Sequence, residues 1–508
     1  MYSNKKKTSL CKNWFVVAFK TVLVFTLTST TPLLLGVSCQ SIGDDLIQPT
    51  FVESVDGVLD TTLTIEYATH GTAIHTMTNT RLLNGTMPGP TLKLKAGDTL
   101  RVKFQNNLIQ QATRNTVENE FSYPDTSNLH FHGAHVSGEL PSDDVTLRVD
   151  PGQEYQYVTD FPDVHMPGTH WIHPHVHGSG ALQVGGGAAA ALIVTDPDGY
   201  LPDVVADAED VLLMVQYMEL NTLENVALES GDSMLDIQRN VGGQDGSNFR
   251  LVNGQYQPTI HMAQNEWQRW RVVYAGWLRE PLQFTIDNNE CEMALLAKDG
   301  IYIQDFPRTI TTAPIPTAGR ADIMVRCPNA GSFAASDFSG NTILNIQVAS
   351  SAVSPVDLPT WQPPEIPEYL LDLTQAAVSN GCSCTTRLGG GCTDGAPNCV
   401  NGLGFDPNRF LHTIALGSVI ERDIRGINAH PYHQHVYPFQ LVDNVDALTG
   451  TSGDYFKLGD WHDGTYPCPE ETYILVIWHW KLLRGKRRIH LNCCFFSSFL
   501  LFYPLQSS

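Results

Sequence analysis

From about Thr61 the chain reads as short runs of alternating apolar and polar residues broken by turns, the pattern of strands half-buried in a sheet. In residues 91–104 apolar positions recur at every second residue before Ala96-Gly97-Asp98 and again after it, which predicts a hairpin. Residues 188–194 are continuously apolar and predict a strand buried on both faces. Residues 267–273 alternate again, residues 321–326 form another short strand pattern, and few segments hold a helical period for long. Residues 353–368 carry Pro355, Pro359, Pro363, Pro364 and Pro367, the signature of a stiff linker. Residues 40–60 are polar and acidic and predict a loose leader. The expected architecture is all-β: three consecutive Greek-key β-sandwiches over residues 60–200, 205–352 and 369–470.

A length of 508 residues agrees with about three domains of ordinary size. With 42% hydrophobic and 17% charged residues the chain can bury sizeable cores, which excludes disorder by composition. Lys+Arg 31 against Asp+Glu 53 gives 31 − 53 = −22, which argues against nucleic acid or an anionic membrane surface as a partner.

The N-terminus changes the expected compartment. Lys5, Lys6, Lys7 and Lys12 precede an apolar run over residues 15–37, and small residues at Gly36 and Ser38 offer a cleavage point. Residues 1–38 are expected to be a signal peptide and the protein to be secreted; the alternative is an uncleaved membrane anchor over residues 15–37. Eleven cysteines fit an oxidising compartment. Cys382, Cys384, Cys392 and Cys399 crowd a Gly-rich stretch that reads as a disulfide-stapled loop rather than a zinc knot, with its connectivity open. Cys291 and Cys327 are plausible partners of one another.

The candidate chemistry lies in the histidines. Asn128-Leu129-His130-Phe131-His132-Gly133, the stretch around Trp171-Ile172-His173-Pro174-His175, and His430-Pro431-Tyr432-His433-Gln434-His435 each place two histidines two residues apart. On a strand, residues i and i+2 share a face, so each pair offers two imidazoles to one side of a sheet. Three converging pairs would supply six nitrogen donors, more than a tetrahedral zinc takes, and imidazole as the only donor suits a copper cluster. A zinc hydrolase would need a carboxylate base beside one histidine cluster, and none of the three motifs contains Asp or Glu. His70, His75, His135, His165, His170, His177, His261, His412 and His462 read as packed or surface residues, with a supporting role beside His175 as the alternative for His177; Trp171 reads as a core aromatic beside the cluster.

On these motifs the chain resembles the multicopper oxidases, the family of laccases, ferroxidases and bacterial copper-efflux oxidases, over about residues 60–470. Asn84-Gly85-Thr86-Met87-Pro88-Gly89-Pro90-Thr91 followed by Ala96-Gly97-Asp98 looks like the family's opening segment. Val252-Asn253-Gly254, Gln268-Arg269-Trp270-Arg271, Asp299-Gly300 and Gly319-Arg320-Ala321-Asp322 look like its copper-free middle domain. The resemblance implies cupredoxin-like sandwiches and copper as cofactor. It further implies that His130 and His433 bind a type 2 copper, that His132, His173, His175 and His435 bind a type 3 pair, and that His430 binds a type 1 copper. Its implied partners are dioxygen and a small reducing substrate: a phenol, an aromatic amine or a low-valent metal ion.

One family motif is missing. The resemblance implies a His-Cys-His followed by a further His beyond Asp460, and no His-Cys-His occurs in the sequence. Residues 471–508 instead carry a basic run (Lys481, Arg484, Lys486, Arg487, Arg488) and an apolar run from Cys493 onward. A mistranslated ending, a degenerate paralogue, and new ligands from His479, His490, Cys493 or Cys494 are the three accounts of it. The third domain is therefore expected to be truncated or aberrant at its C-terminus, the type 1 site incomplete, and the chain as written inactive as a four-electron oxidase. The rival reading is a secreted copper-binding protein without turnover.

Overall fold

The computed structural model describes residues 41–240, 247–379, 383–389, 391–396, 398–409, 418–426, 431–442, 453–465 and the backbone of 474–479. The expected signal peptide, Cys382, His412, His430 and residues 480–508 lie outside the described residues, as do the side chains of Cys384 and of residues 474–479. No helix among the described residues is long and apolar enough to cross a membrane.

The expected all-β architecture is what the chain adopts. Two five-stranded sheets form the first sandwich. One runs Phe51–Glu53, Thr91–Leu94, Ala190–Val194, Gly168–His173, His130–His132; the other runs Asp236–Arg239, His75–Leu83, Val58–Gly71, Thr99–Asn106, Glu154–Asp160. Their inward residues, Leu63, Ile65, Leu92, Leu94, Val102, Phe104, Phe131 and Leu192 among them, close one core. A second pair of sheets, of seven and five strands, packs around Trp270, Val272, Phe284, Ile323 and Ile346. The third β region contributes one five-stranded sheet: Ser383–Arg387, Val419–Arg425, Ile474–His479, Phe439–Leu441, Trp461–His462. Ile474–His479 lies between two of its strands, so the tail begins by joining this sheet through backbone pairing.

Three sequence expectations change. The hairpin at residues 91–104 does not form: Thr91–Leu94 pairs with Ala190–Val194, and Thr99–Asn106 pairs with Val58–Gly71 in the opposite sheet. The turn at Ala96-Gly97-Asp98 carries the chain across the sandwich edge, so its two apolar rows meet through the core instead of side by side. The leader is not loose. Leu46 N donates to Thr259 O at 2.8 Å, and Phe51–Glu53 pairs in parallel with Thr91–Leu94, because an open sheet edge satisfies a polar strand's backbone as well as an apolar one's. Residues 205–352 are also not self-contained, since Asp236–Arg239 becomes an edge strand of the first sandwich, antiparallel to His75–Leu83.

A helix at Leu220–Ser230 precedes that strand; Glu219 accepts from Thr222 N at 2.7 Å, and Gly231 ends it at φ 73°. A Cβ at Gly231 would strike Thr113 O. Just beyond it, Asp232 meets Arg81 at 2.8 Å, while Asp125 holds the other side of the guanidinium at 3.1 Å. All three side chains are at most 2% exposed, so this network clamps the helix to the first sandwich. Replacing Arg81 with Met strands two buried carboxylates and should cost about 3–5 kcal/mol in denaturant unfolding. A loss below about 1 kcal/mol would show that water reaches the pair.

Two disulfides fasten the described chain, Cys291–Cys327 as expected and Cys392–Cys399 within the Gly-rich loop.

Candidate metal centre

The first sheet ends in the first histidine pair. His130–His132 is its edge strand, antiparallel to Gly168–His173, with His130 opposite His173 and His132 opposite Trp171. The chain then leaves the strand at Pro174, and His175 N donates to Asn128 Oδ1 at 2.6 Å, which holds the second pair against the first. From the third β region, His433 bridges to Gly464, and Gln434 N donates to Asp463 O at 2.9 Å.

Six of the seven candidate histidines converge: His130, His132, His173, His175, His433 and His435. The rings of His130 and His435 stack at 4.1 Å between centroids, and those of His132 and His433 at 3.7 Å. His175 lies 5.2 Å from His130 and 5.0 Å from His435. His132 Nδ1 is 3.2 Å from His173 Nε2. Three sets of ligating atoms lie within 4.8 Å of one another: His130/His132/His173, His130/His433/His435 and His132/His433/Asp463. The seventh candidate, His430, lies outside the described residues.

Burial controls the charge of this cluster. It holds His130 and His435 well below the ordinary imidazole range, and the neighbouring imidazoles lower them further. Burial also lowers His132 and His173, with His433 and His175 respectively adding to the effect. These four rings are therefore neutral at neutral pH, the form that binds metal.

The outward nitrogens are oriented by acceptors that the sequence did not reveal. His130 Nδ1 faces both oxygens of Asp143 at 3.0 and 2.9 Å, and Asp143 Oδ1 also accepts from Phe131 N. Burial pushes the Asp143 carboxyl well above its usual range. His173 Nδ1 donates to Pro174 O at 2.9 Å, and His433 Nδ1 to Asp463 O at 2.8 Å. These bonds turn Nε2 inward. The Nε2 atoms of His130 and His435 are buried with no hydrogen-bond partner among the described residues. A buried polar atom in that state is costly unless something binds it. An all-imidazole donor set with orphaned inward nitrogens on His130 and His435 fits copper.

Among the described residues, His261 meets Asp45 at the surface and several other histidines pack inside. His165 and His135 are buried, with His135 stacked on Tyr369 at 3.8 Å. His177 Nε2 is 3.1 Å from Asn119 Oδ1 and its ring stacks on Phe405. It lines a cavity of about 520 Å³ together with His175, Arg148 and Arg409, so a route toward the cluster opens here. Trp171 lies 4.2 Å from the His173 ring, fully buried.

The fold is that of cupredoxin-like sandwiches, and the donor set suits copper. A family model described as multicopper oxidase matches residues 64–199, which hold the first two histidine pairs. The chain is 26% identical over 392 residues to "Multicopper oxidase mco" of Staphylococcus haemolyticus, covering 73% of this chain and 72% of that one. It is 23% identical to "Laccase-2" of Agaricus bisporus over 72% of this chain and 75% of the relative. Among solved structures, the McoA multicopper oxidase of Aquifex aeolicus superposes with a TM-score of 0.63 at 19% identity, covering 88% of this chain and 93% of that one. Residues 64–199 thus carry a multicopper oxidase domain, and the chain is similar to multicopper oxidases over about three quarters of its length.

Proposed function

We propose that the protein is a copper-dependent oxidoreductase that couples one-electron oxidation of phenols, aromatic amines or metal ions to the reduction of dioxygen to water. In this reading His130 and His433 hold a type 2 copper, and His132, His173, His175 and His435 hold a type 3 pair. His430 is assigned to a type 1 copper. The observation that carries the reading is the convergence of six imidazoles with the Nε2 atoms of His130 and His435 left for a ligand. Bound copper would supply reversible one-electron transfer, which dioxygen reduction needs and no side chain here provides. The chain's own part is to orient and to exclude. Asp143, Pro174 O and Asp463 O fix three of the rings, and the close-packed core around Trp171 and Phe131 keeps bulk water from their other faces. The cavity beside His175 suits entry of a small molecule.

A second reading is kept because the sequence contains no His-Cys-His: a secreted protein that binds copper without turnover. In it the type 1 site is incomplete and the chain as written is inactive. Copper content, the visible spectrum and oxygen uptake with a phenolic donor separate the two. The oxidase reading expects more than one copper per chain and oxygen consumption that stops when copper is chelated. Copper uptake without oxygen consumption selects the binding protein. A chain that takes up no copper would overturn both.

A further inference from the structure

The second sandwich supplies none of the six clustered histidines, yet one of its side chains reaches them. Arg320 begins the strand Arg320–Arg326 and is fully buried. Its Nη1 and Nη2 donate to the two carboxylate oxygens of Asp463 at 2.9 and 2.6 Å. Its Nε donates to Thr169 O at 3.2 Å, and Nη2 also to Asp299 O at 2.8 Å. Asp299 closes the loop by accepting from Arg320 N at 3.0 Å and Asp463 N at 3.2 Å. The guanidinium lies so close to the first histidine motif that a Cβ at Gly133 would run into its Nη2.

Asp463 faces the cluster in two ways. Its backbone carbonyl accepts from His433 Nδ1, while its carboxylate Oδ1 stands 3.7 Å from His132 Nε2 and from His433 Nδ1. That carboxylate is close enough to join a ligand set with the two imidazoles. It therefore places an oxygen donor at the rim of a nitrogen site.

We propose that Arg320 is a positioning residue for the metal centre: from the copper-free sandwich it engages both oxygens of Asp463, which keeps the carboxylate out of the ligand set and leaves the carbonyl to orient His433. The role rests on the copper reading above. It gives the second sandwich a chemical duty, preserving an all-imidazole donor set between the other two β regions. A bidentate guanidinium suits this because its planar fork occupies both oxygens at once, whereas a lysine covers one.

The test is electron paramagnetic resonance of the copper-loaded full chain, with copper retention against a chelator. R320M should change the nitrogen hyperfine pattern of the bound copper and weaken retention by roughly 10–100-fold, the range for loss of an outer-shell partner. R320K should fall between R320M and wild type. Adding D463N to R320M removes the freed carboxylate and should restore the spectrum toward wild type, a rescue that a merely structural arginine does not predict. If R320M fails to fold, R320K carries the test: a spectrum and retention equal to wild type would overturn the proposal. So would an R320M spectrum unchanged from wild type, or one that D463N fails to restore. A wild-type chain that binds no copper would overturn the copper reading itself, a result distinct from either.

Discussion

With both His130 and His435 replaced by alanine, the chain should fold and lose most of its copper. These two rings stack at 4.1 Å and carry orphaned Nε2 atoms, so the pair sits where first-sandwich and third-region donors meet. Losing an outer-shell partner costs roughly 10–100-fold in metal affinity, and losing two direct donors should exceed that. Stability without metal should change far less. Each orphaned buried nitrogen costs about 1–3 kcal/mol, so its removal offsets much of the cavity left behind. Thermal unfolding with and without copper separates the two effects: copper should raise the midpoint of the wild type and leave that of H130A/H435A unmoved. An equal copper-induced rise in both proteins would remove these residues from the centre.

The metal-free protein should also unfold on mild acidification, through histidines outside the cluster. Burial lowers His70 to about 4 and His135 to about 4. Burial, with His70 and His135 respectively as charged neighbours, lowers His75 and His165 to about 3. His165 shows why. Its Nε2 accepts from His135 N at 2.9 Å while its Nδ1 donates to Met166 O, so a second proton must break a buried bond. In the unfolded chain these four groups take up protons near the ordinary pKa of about 6.5. In the folded chain they stay neutral, so the unfolded state binds more protons and stability falls as pH falls below 6.5. Each group contributes about 1.4 kcal/mol per pH unit in that window, and four together about 5 kcal/mol per unit down to about pH 4. A drop of two units would consume most of an ordinary domain's stability of about 5–15 kcal/mol. Urea midpoints at constant ionic strength should therefore fall steeply between pH 6.5 and 4.5; a flat profile would mean that these imidazoles are hydrated.

The histidine pairs were legible because i, i+2 spacing fixes a shared face wherever the strand ends up. The groups that orient them were not. Asp143 and Asp463 lie 13 and 30 residues from the histidines they hold, with no periodic relation to them. Arg320 belonged to a stretch matched to the family's middle domain, but nothing local showed that it crosses into another sandwich. The misread hairpin has a similar cause. Alternation shows which face of a strand is buried but not which strand lies beside it, so Leu94 and Leu100 looked like neighbours when they belong to opposing layers. The helix Leu220–Ser230 buries Leu220, Leu223, Val226 and Ala227, a helical spacing too short to stand out between strands.

The crossing of Asp236–Arg239 into the first sandwich has a practical corollary for anyone dissecting the gene. A fragment stopped near residue 205 would leave His75–Leu83 as an uncovered border, its amides and carbonyls open to another molecule's backbone. Such a fragment invites self-association, and a boundary drawn after residue 239 would keep that border strand with the layer it protects.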